Sequence, residues 1–321
     1  MENLLLAYYR ARKGKQNRDT VAHFSFELEL NLVQLQFELD NNQYLPGAYR
    51  QFWIHERKPR LISAAPFRDR VIHHALMNVL EPLFEKRFYY HSYACRKNKG
   101  THRAVDQYQS WAKRYPYVLK LDIKRYFPSI RHQDLMHQLA RLIKDKRILS
   151  LLGLVIGHSP TDIKGVGLPI GNLTSQYLAN LYLNEVDHWL SSQDSCKAYL
   201  RYVDDLMIFG DSKRELWQLK ALLENELSIL GLSLHDTKQQ LMRTSERVDV
   251  LGYKVSLHRR WLRNDNGYRF QRKLKSLPNK VNAGEITPDK AIASVMSWKG
   301  HAKHGETKAL VATIFESVLF H

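Results

Sequence analysis

Two apolar runs of β-forming residues, Tyr199-Leu200-Arg201-Tyr202-Val203 and Leu206-Met207-Ile208-Phe209, are separated by nothing but Asp204-Asp205. So short a spacing leaves a hairpin with two acids at its tip. Asp-Asp is an ordinary turn on a solvated hairpin, because Asp tolerates turn conformations. Flanks this apolar belong in a core, however, and two like charges ~4 Å apart at its rim repel by about 4 kcal/mol at an effective dielectric near 20. A divalent cation reverses that balance, and a few carboxylates completed by waters and substrate phosphates suit Mg²⁺. A third acid is delivered by the strand-like run Tyr117-Val118-Leu119-Lys120-Leu121-Asp122-Ile123, with Pro128 breaking regular structure soon after. Asp122, Asp204 and Asp205 therefore predict two-metal phosphoryl transfer, with ions ~3.5–4 Å apart activating an attacking hydroxyl and stabilising the leaving group. Asp122 and Asp204 are the expected bridging ligands and Asp205 supports them, with Mn²⁺ as a substitute metal.

Charge points to the same class of substrate. Lys and Arg outnumber Asp and Glu by 49 to 32, a formal charge of +17 that calls for a polyanionic partner, nucleic acid first. A basic stretch over 49–70 interleaves Phe52, Trp53 and Phe67 with Arg50, Arg57, Lys58, Arg60, Arg68 and Arg70, a mixture suited to phosphates and bases. Such stems also cover ordinary apolar surface. Cys95 and Cys196 form no CxxC pair, which suggests neither a disulfide framework nor a cysteine zinc site and fits a reducing cytoplasm. The opening run Leu4-Leu5-Leu6-Ala7-Tyr8-Tyr9 is shorter than a signal-peptide core, and no later run approaches a membrane span. His301 and His304 lack acidic or cysteine neighbours in sequence, so a zinc reading is set aside.

Apolar-periodic helices alternate with short β-rich runs, an α+β pattern. Residues 26–39 alternate like a strand, yet Leu28, Leu32, Leu35 and Leu39 share one helical stripe, and the Glu/Gln content predicts helix. Gly165-Val166-Gly167-Leu168-Pro169-Ile170-Gly171 opens a helix whose stripe is Leu178, Tyr182, Val186 and Trp189. The glycines permit close backbone approach to a nucleotide and equally suit a plain loop, but no Gly-Lys-Ser/Thr follows to make a P-loop. After residue 254 the chain turns helical and basic, over 269–282 and then from a Thr287-Pro288 start with Ala291, Val295 and Trp298 on one face.

From about Tyr44 to about Gly305 the chain resembles the reverse transcriptases. Leu121-Asp122-Ile123 with Phe127-Pro128-Ser129 is similar to their first palm motif, Leu168 to Gln176 to the second, and Tyr202-Val203-Asp204-Asp205 to the YxDD box. The resemblance implies a right-hand polymerase fold: N-terminal region and fingers over 1–116, a palm of antiparallel sheet and helices over 117–254, with part of 131–168 in the fingers, and a helical thumb over 255–321. It implies metal ligation by Asp122, Ile123, Asp204 and Asp205, and a nucleotide site of Arg68, Arg70, Phe127, Ile170, Gly171 and Gln176. In it Phe127 excludes a ribose 2′-hydroxyl and Arg70 contacts the triphosphate. Leu251-Gly252-Tyr253 resembles the primer grip. Gly231-Leu232-Ser233-Leu234 followed by Lys238 resembles the motif whose lysine protonates pyrophosphate; a plain surface lysine is the alternative.

Many members carry Gln-Gly and then Ser-Pro in the second motif, where this chain has Ile170-Gly171 and Ser175-Gln176. That variant resembles the diversity-generating retroelement branch of the group II intron-like bacterial enzymes. Ser92-Tyr93-Ala94-Cys95-Arg96, Lys99-Gly100-Thr101-His102 and Ser297-Trp298-Lys299-Gly300-His301-Ala302 point the same way. The branch implies a cytoplasmic enzyme of bacterial, archaeal or phage origin that copies template RNA from a DNA or RNA primer with dNTPs, with errors at template adenines. It also implies a small multimeric accessory protein. A reverse transcriptase of a group II intron, retron or antiviral element is the alternative, and a noncatalytic RNA-binding scaffold a more distant one.

Overall fold

In the computed structural model, residues 1–55 and 59–316 are described; Arg57 and Lys58 of the basic stretch lie outside them. Three helices lead: α1 (Glu2–Arg12), α2 (Asp19–Phe26) and α3 (Leu28–Asp40). The ambiguous segment 26–39 is thus helical across most of its length. A hairpin of β1 (Arg50–His55) and β2 (Pro59–Ala64) follows, then α4 (Phe67–Glu85) and α5 (Thr101–Ala112). The central region runs β3 (Tyr117–Asp122), α6 (Tyr126–Ser129), α7 (His132–Leu142), α8 (Lys146–Gly157), α9 (Leu173–Tyr182) and α10 (Asn184–Ser191). It continues with β4 (Ala198–Tyr202), β5 (Asp205–Gly210), α11 (Lys213–Ile229) and β6 (Gln240–Arg243). The last part holds β7 (Val248–Val250), β8 (Tyr253–Val255), β9 (Arg260–Leu262), α12 (Asn264–Asn282), α13 (Pro288–Ala302) and α14 (Lys308–Glu316). No helix among the described residues is long and apolar enough to cross a membrane.

The predicted acid-tipped hairpin is β4–β5, and it sits in an antiparallel sheet of order β4-β5-β3-β6. Both faces of that sheet are buried, and strand alternation divides its side chains between two cores. Leu119, Leu121, Tyr199, Leu206 and Ile208 enter one core with α4, α9 and α11, whereas Val118, Leu200, Met207 and Phe209 enter the other with α5 and α12. Burial on both sides explains why these runs read as near-continuously apolar. Helix ends follow local chemistry. Ser212 accepts from the Glu215 amide at the start of α11, and Thr287 accepts from the Lys290 amide ahead of Pro288 at the start of α13.

Two expectations shift. The helix expected to carry Leu178, Tyr182, Val186 and Trp189 is two helices, α9 and α10, separated at Leu183. The helical C-terminal part begins at Asn264, because the boundary at 254/255 falls inside β8 of a three-stranded sheet β7-β8-β9. The motif Ser297 to Ala302 joins that helical part to the sheet: Trp298 stacks on Phe270 at 3.9 Å, and the Tyr253 hydroxyl meets His301 Nδ1 at 2.8 Å.

At the other end, α1 packs along α4, whose His73 is 3% exposed. Burial, with the neighbouring His74 and Arg70, pushes His73 from the usual 6.5 down to about 4. Protonation then favours the unfolded chain, so stability held at neutral pH is lost as pH falls from 6.5 toward 4. One such group is worth about 2 kcal/mol between roughly pH 7 and 5. Chemical denaturation across that range is expected to show falling stability, and His73→Met to flatten the decline by about that amount; an unaltered slope in the variant refutes the assignment.

Candidate active site

Register sets the acids. Tyr202 pairs with Asp205 across β4–β5, leaving Val203 and Asp204 as the turn, and Asp122 pairs with Asp205 across β3–β5. The turn is tightened by the Ile123 amide, which donates to the Asp204 carbonyl at 3.0 Å. Val203 stands at φ +59°, a region in which a β-branched residue is sterically strained. What holds it there is Arg201. This side chain is 1% exposed, pairs with the equally buried Asp187 at 2.6 Å, and donates to the Val203 carbonyl at 3.1 Å. Tyr199 donates to the same Asp187, and Asn180 of α9 accepts from Arg201. The segments around Tyr93 and Thr101 brace the hairpin from outside: the Tyr93 amide donates to the Arg201 carbonyl at 2.9 Å, and Thr101 donates to the Tyr202 hydroxyl at 3.0 Å.

Burial and mutual repulsion dominate the electrostatics. Asp205 is pushed up to about 6 by burial and by Asp204 and Asp122, against the pull of Lys120 and Lys238. Asp204 is raised by burial and by Asp122, with Lys238 and Arg60 opposing. Lys238 Nζ lies 2.5 Å from Asp122 Oδ2, and the Asp122 carbonyl accepts from the His235 amide at 2.7 Å. Among the described residues no three His, Cys, Asp or Glu side chains form a ready-made metal cage. The donor set nevertheless suits a hard cation: it is all oxygen, anionic and crowded enough to raise two of its own members, and such sites complete the shell with water and substrate oxygens.

The remaining predicted residues divide. Phe127, on α6, has a half-buried ring, and its carbonyl accepts from the Leu168 amide at 2.9 Å. Ile170 presents its carbonyl to the Ser63 amide at 3.0 Å, tying the loop before α9 to β2. Gly171 has φ +119°, and a Cβ there would lie 2.8 Å from Ile62 Cγ2, so the glycine is required by close approach. Gln176 is half-buried on α9. Ile123 is buried and brings its backbone to the site.

Arg68 and Arg70 have different surroundings. Arg68 pairs with Glu38 and lies over the Tyr44 ring, while Arg70 donates to the Ala65 carbonyl at 2.8 Å. Arg70 also lines a cavity of about 770 Å³ with Lys15, Arg18, Arg50 and Gly171, which brings together two residues of the predicted nucleotide site; none of the three acids lines it. Between them, buried Asp69 accepts from Tyr44 and the Gly47 amide, so much of the Phe67-Arg68-Asp69-Arg70 motif builds the loop. The arginine whose charge reaches Asp204 is Arg60 on β2.

Leu251 and Gly252 form a two-residue turn with φ +48° and +95°, the hairpin type matched to strand twist. Both line the cleft that contains Asp205, whereas Tyr253 is fully buried beneath it. That cleft has a volume of about 1230 Å³ and a cationic wall of Arg263, Arg269, Lys273 and Lys290, with half-buried Lys120 also lining it.

Residues 54–255 match the family described as "Reverse transcriptase (RNA-dependent DNA polymerase)". The chain belongs to the reverse transcriptase family. Its similar relatives include the "Putative COX1/OXI3 intron 1 protein" of Saccharomyces cerevisiae, 24% identical over 80% of this chain and 38% of that protein. Protein YkfC of Escherichia coli is 29% identical over 51% of this chain and 46% of its own length. Group II intron-encoded protein LtrA of Lactococcus lactis is 27% identical over 54% of this chain and 30% of its own. The chain thus spans less than half of each. In fold it resembles the apo telomerase of Candida tropicalis, with a TM-score of 0.53 and 13% identity over 68% of this chain and 55% of that one. Telomerase of Candida albicans is similar at TM-score 0.52 and 13% identity, over 86% and 56% of the two chains.

Arg201 went unread as a functional residue because it sits inside an apolar β run; a cation there signals a buried anionic partner, which turned out to be Asp187. Removing one partner of a buried pair leaves an uncompensated charge, so Asp187→Ala is expected to cost about 3–5 kcal/mol in chemical denaturation. Asp187→Leu with Arg201→Met is expected to recover most of that; a single variant within about 1 kcal/mol of the parent contradicts the role given to the pair.

Proposed function

We propose that this reverse transcriptase family member is an RNA-directed DNA polymerase that makes cDNA by nucleotidyl transfer. The observation that carries the reading is Asp122 facing Asp205 across two strands, with Asp204 in the adjoining turn and Asp205 itself lining a cationic cleft. Asp122, Asp204 and Asp205, with the Ile123 backbone, would hold two Mg²⁺ ions or Mn²⁺ in their place. These ions would lower the pKa of a primer 3′-hydroxyl and neutralise departing pyrophosphate. Lys238, already at Asp122, is positioned to give that pyrophosphate a proton. Arg70, which shares a cavity with Gly171, and Arg68 offer charge-assisted bonds to the triphosphate, and Arg60, whose charge reaches Asp204, adds to them. Phe127 excludes a 2′-hydroxyl, and Gly171 and Gln176 flank the nucleotide with Ile170. Leu251 and Gly252 support the primer end, with Tyr253 beneath them. Residues 1–116 serve as N-terminal region and fingers, those from 117 through the β7-β8-β9 sheet as palm, with part of 131–168 in the fingers, and the helical part from Asn264 as thumb over a template–primer duplex.

The finer reading is a diversity-generating retroelement enzyme that works with a small multimeric accessory protein and errs at template adenines. Ile170 supports it: a side chain that only packs near the nascent pair leaves geometry less specified than one that hydrogen-bonds. The named relatives encoded by introns favour a second reading, a group II intron enzyme. Sequencing the cDNA made by purified protein on a defined RNA template with Mg²⁺ and four dNTPs separates them. Errors concentrated opposite adenines, reduced in Ile170→Gln and with no product from Asp204→Ala, are expected. Even fidelity selects the intron reading, and equal product from Asp204→Ala removes the polymerase assignment.

A further inference from the structure

α3 is apolar on two sides. Leu32 and Leu35 are buried in the core, yet Leu30, Val33 and Phe37 recur at the spacing of a second stripe on the same helix, and Phe26, the last residue of α2, precedes them across the break at Glu27. Phe26, Leu30, Val33 and Phe37 are 89%, 65%, 50% and 55% exposed. Single exposed apolar residues are normal, but three on one face of one helix mark a contact surface.

Charge identifies what the surface suits. Residues 19–40 contain five acids, Asp19, Glu27, Glu29, Glu38 and Asp40, and no Lys or Arg, in a chain of formal charge +17. Glu38 and Asp40 are paired with Arg68 and Arg147, whereas Glu27 and Glu29 are exposed beside the stripe. RNA, DNA and anionic lipid surfaces are all held by cations, which this segment lacks. A second copy of the same stripe in two-fold pairing would set acid against acid. We propose that the Leu30–Val33–Phe37 stripe of α3, with Phe26 at the end of α2 and edged by Glu27 and Glu29, docks a second protein through a cationic amphipathic helix. Apolar anchors on that helix would meet the stripe, and its Lys or Arg edges would meet the glutamates. None of the stripe residues lines the cleft that contains Asp205, so docking leaves that cleft open. The proposal does not depend on the polymerase reading.

The test uses the full chain and, as probe, a fluorescein-labelled Leu/Lys peptide of about 18 residues, long enough to hold a helix. A scrambled peptide of the same composition serves as control. Anisotropy is expected to show saturable binding of the amphipathic peptide alone. Binding should weaken by about tenfold or more, roughly 1.4 kcal/mol, in Leu30→Glu with Phe37→Glu and again in Glu27→Lys with Glu29→Lys. Unchanged circular dichroism separates these effects from misfolding, and the charge-reversal pair lies wholly on the surface. Absence of binding, equal binding of the scrambled peptide, or binding that survives either pair overturns the proposal. So does a parent chain that sediments as a dimer and becomes monomeric in Leu30→Glu with Phe37→Glu, because the stripe would then be a self-interface.

Discussion

The buried pair of Arg201 and Asp187 fixes everything the acids do. Desolvating two charges is expensive, and the expense is met here by a full complement of bonds: Tyr199, Asn180 and the Val203 carbonyl complete what the two ions begin. The consequence is geometric. Arg201 holds the carbonyl of a strained turn residue, the turn places Asp204, and the paired strand places Asp205 opposite Asp122. Segments distant in sequence, around Tyr93 and Thr101, grip the same strand from outside.

A sheet buried on both faces is the complementary constraint. Carboxylates at the end of such a sheet are desolvated by the cores behind them, which is why Asp204 and Asp205 rise while Lys120 is lowered by the same burial. Compensation comes from Lys120 on β3 and from outside the sheet, where Lys238 reaches in from the segment before β6 and Arg60 from the projecting hairpin. The site therefore draws its charge balance from three separate stretches of chain.

Much of this was legible in the sequence. Two apolar runs meeting at Asp204-Asp205 announced the hairpin and its burial, and Thr287-Pro288 announced a helix start that formed as written. Helix in 26–39 was readable from Leu28, Leu32, Leu35 and Leu39, although the second stripe on the same segment was not weighed. Tertiary placement was harder. Which arginine's charge reaches the acids depends on the pairing of β2 and the packing of α4, which no local pattern encodes, and so Arg60 reaches Asp204 while Arg70 shares a cavity with Gly171. Tyr253 looked like a contact residue for a primer and is buried because strand alternation turns it toward His301. The break at Leu183 and the sheet β7-β8-β9 depend on contacts between remote segments.

The contact between β2 and the loop before α9 has a further consequence. Ser63 bonds to the Ile170 carbonyl, and Ile62 sits where a side chain at 171 would have to go. Gly171 is thus held twice, by Ile62 and by a φ of +119° that trimming position 62 would not relieve. Over evolutionary time position 62 is free to lose bulk, whereas position 171 is expected to stay glycine.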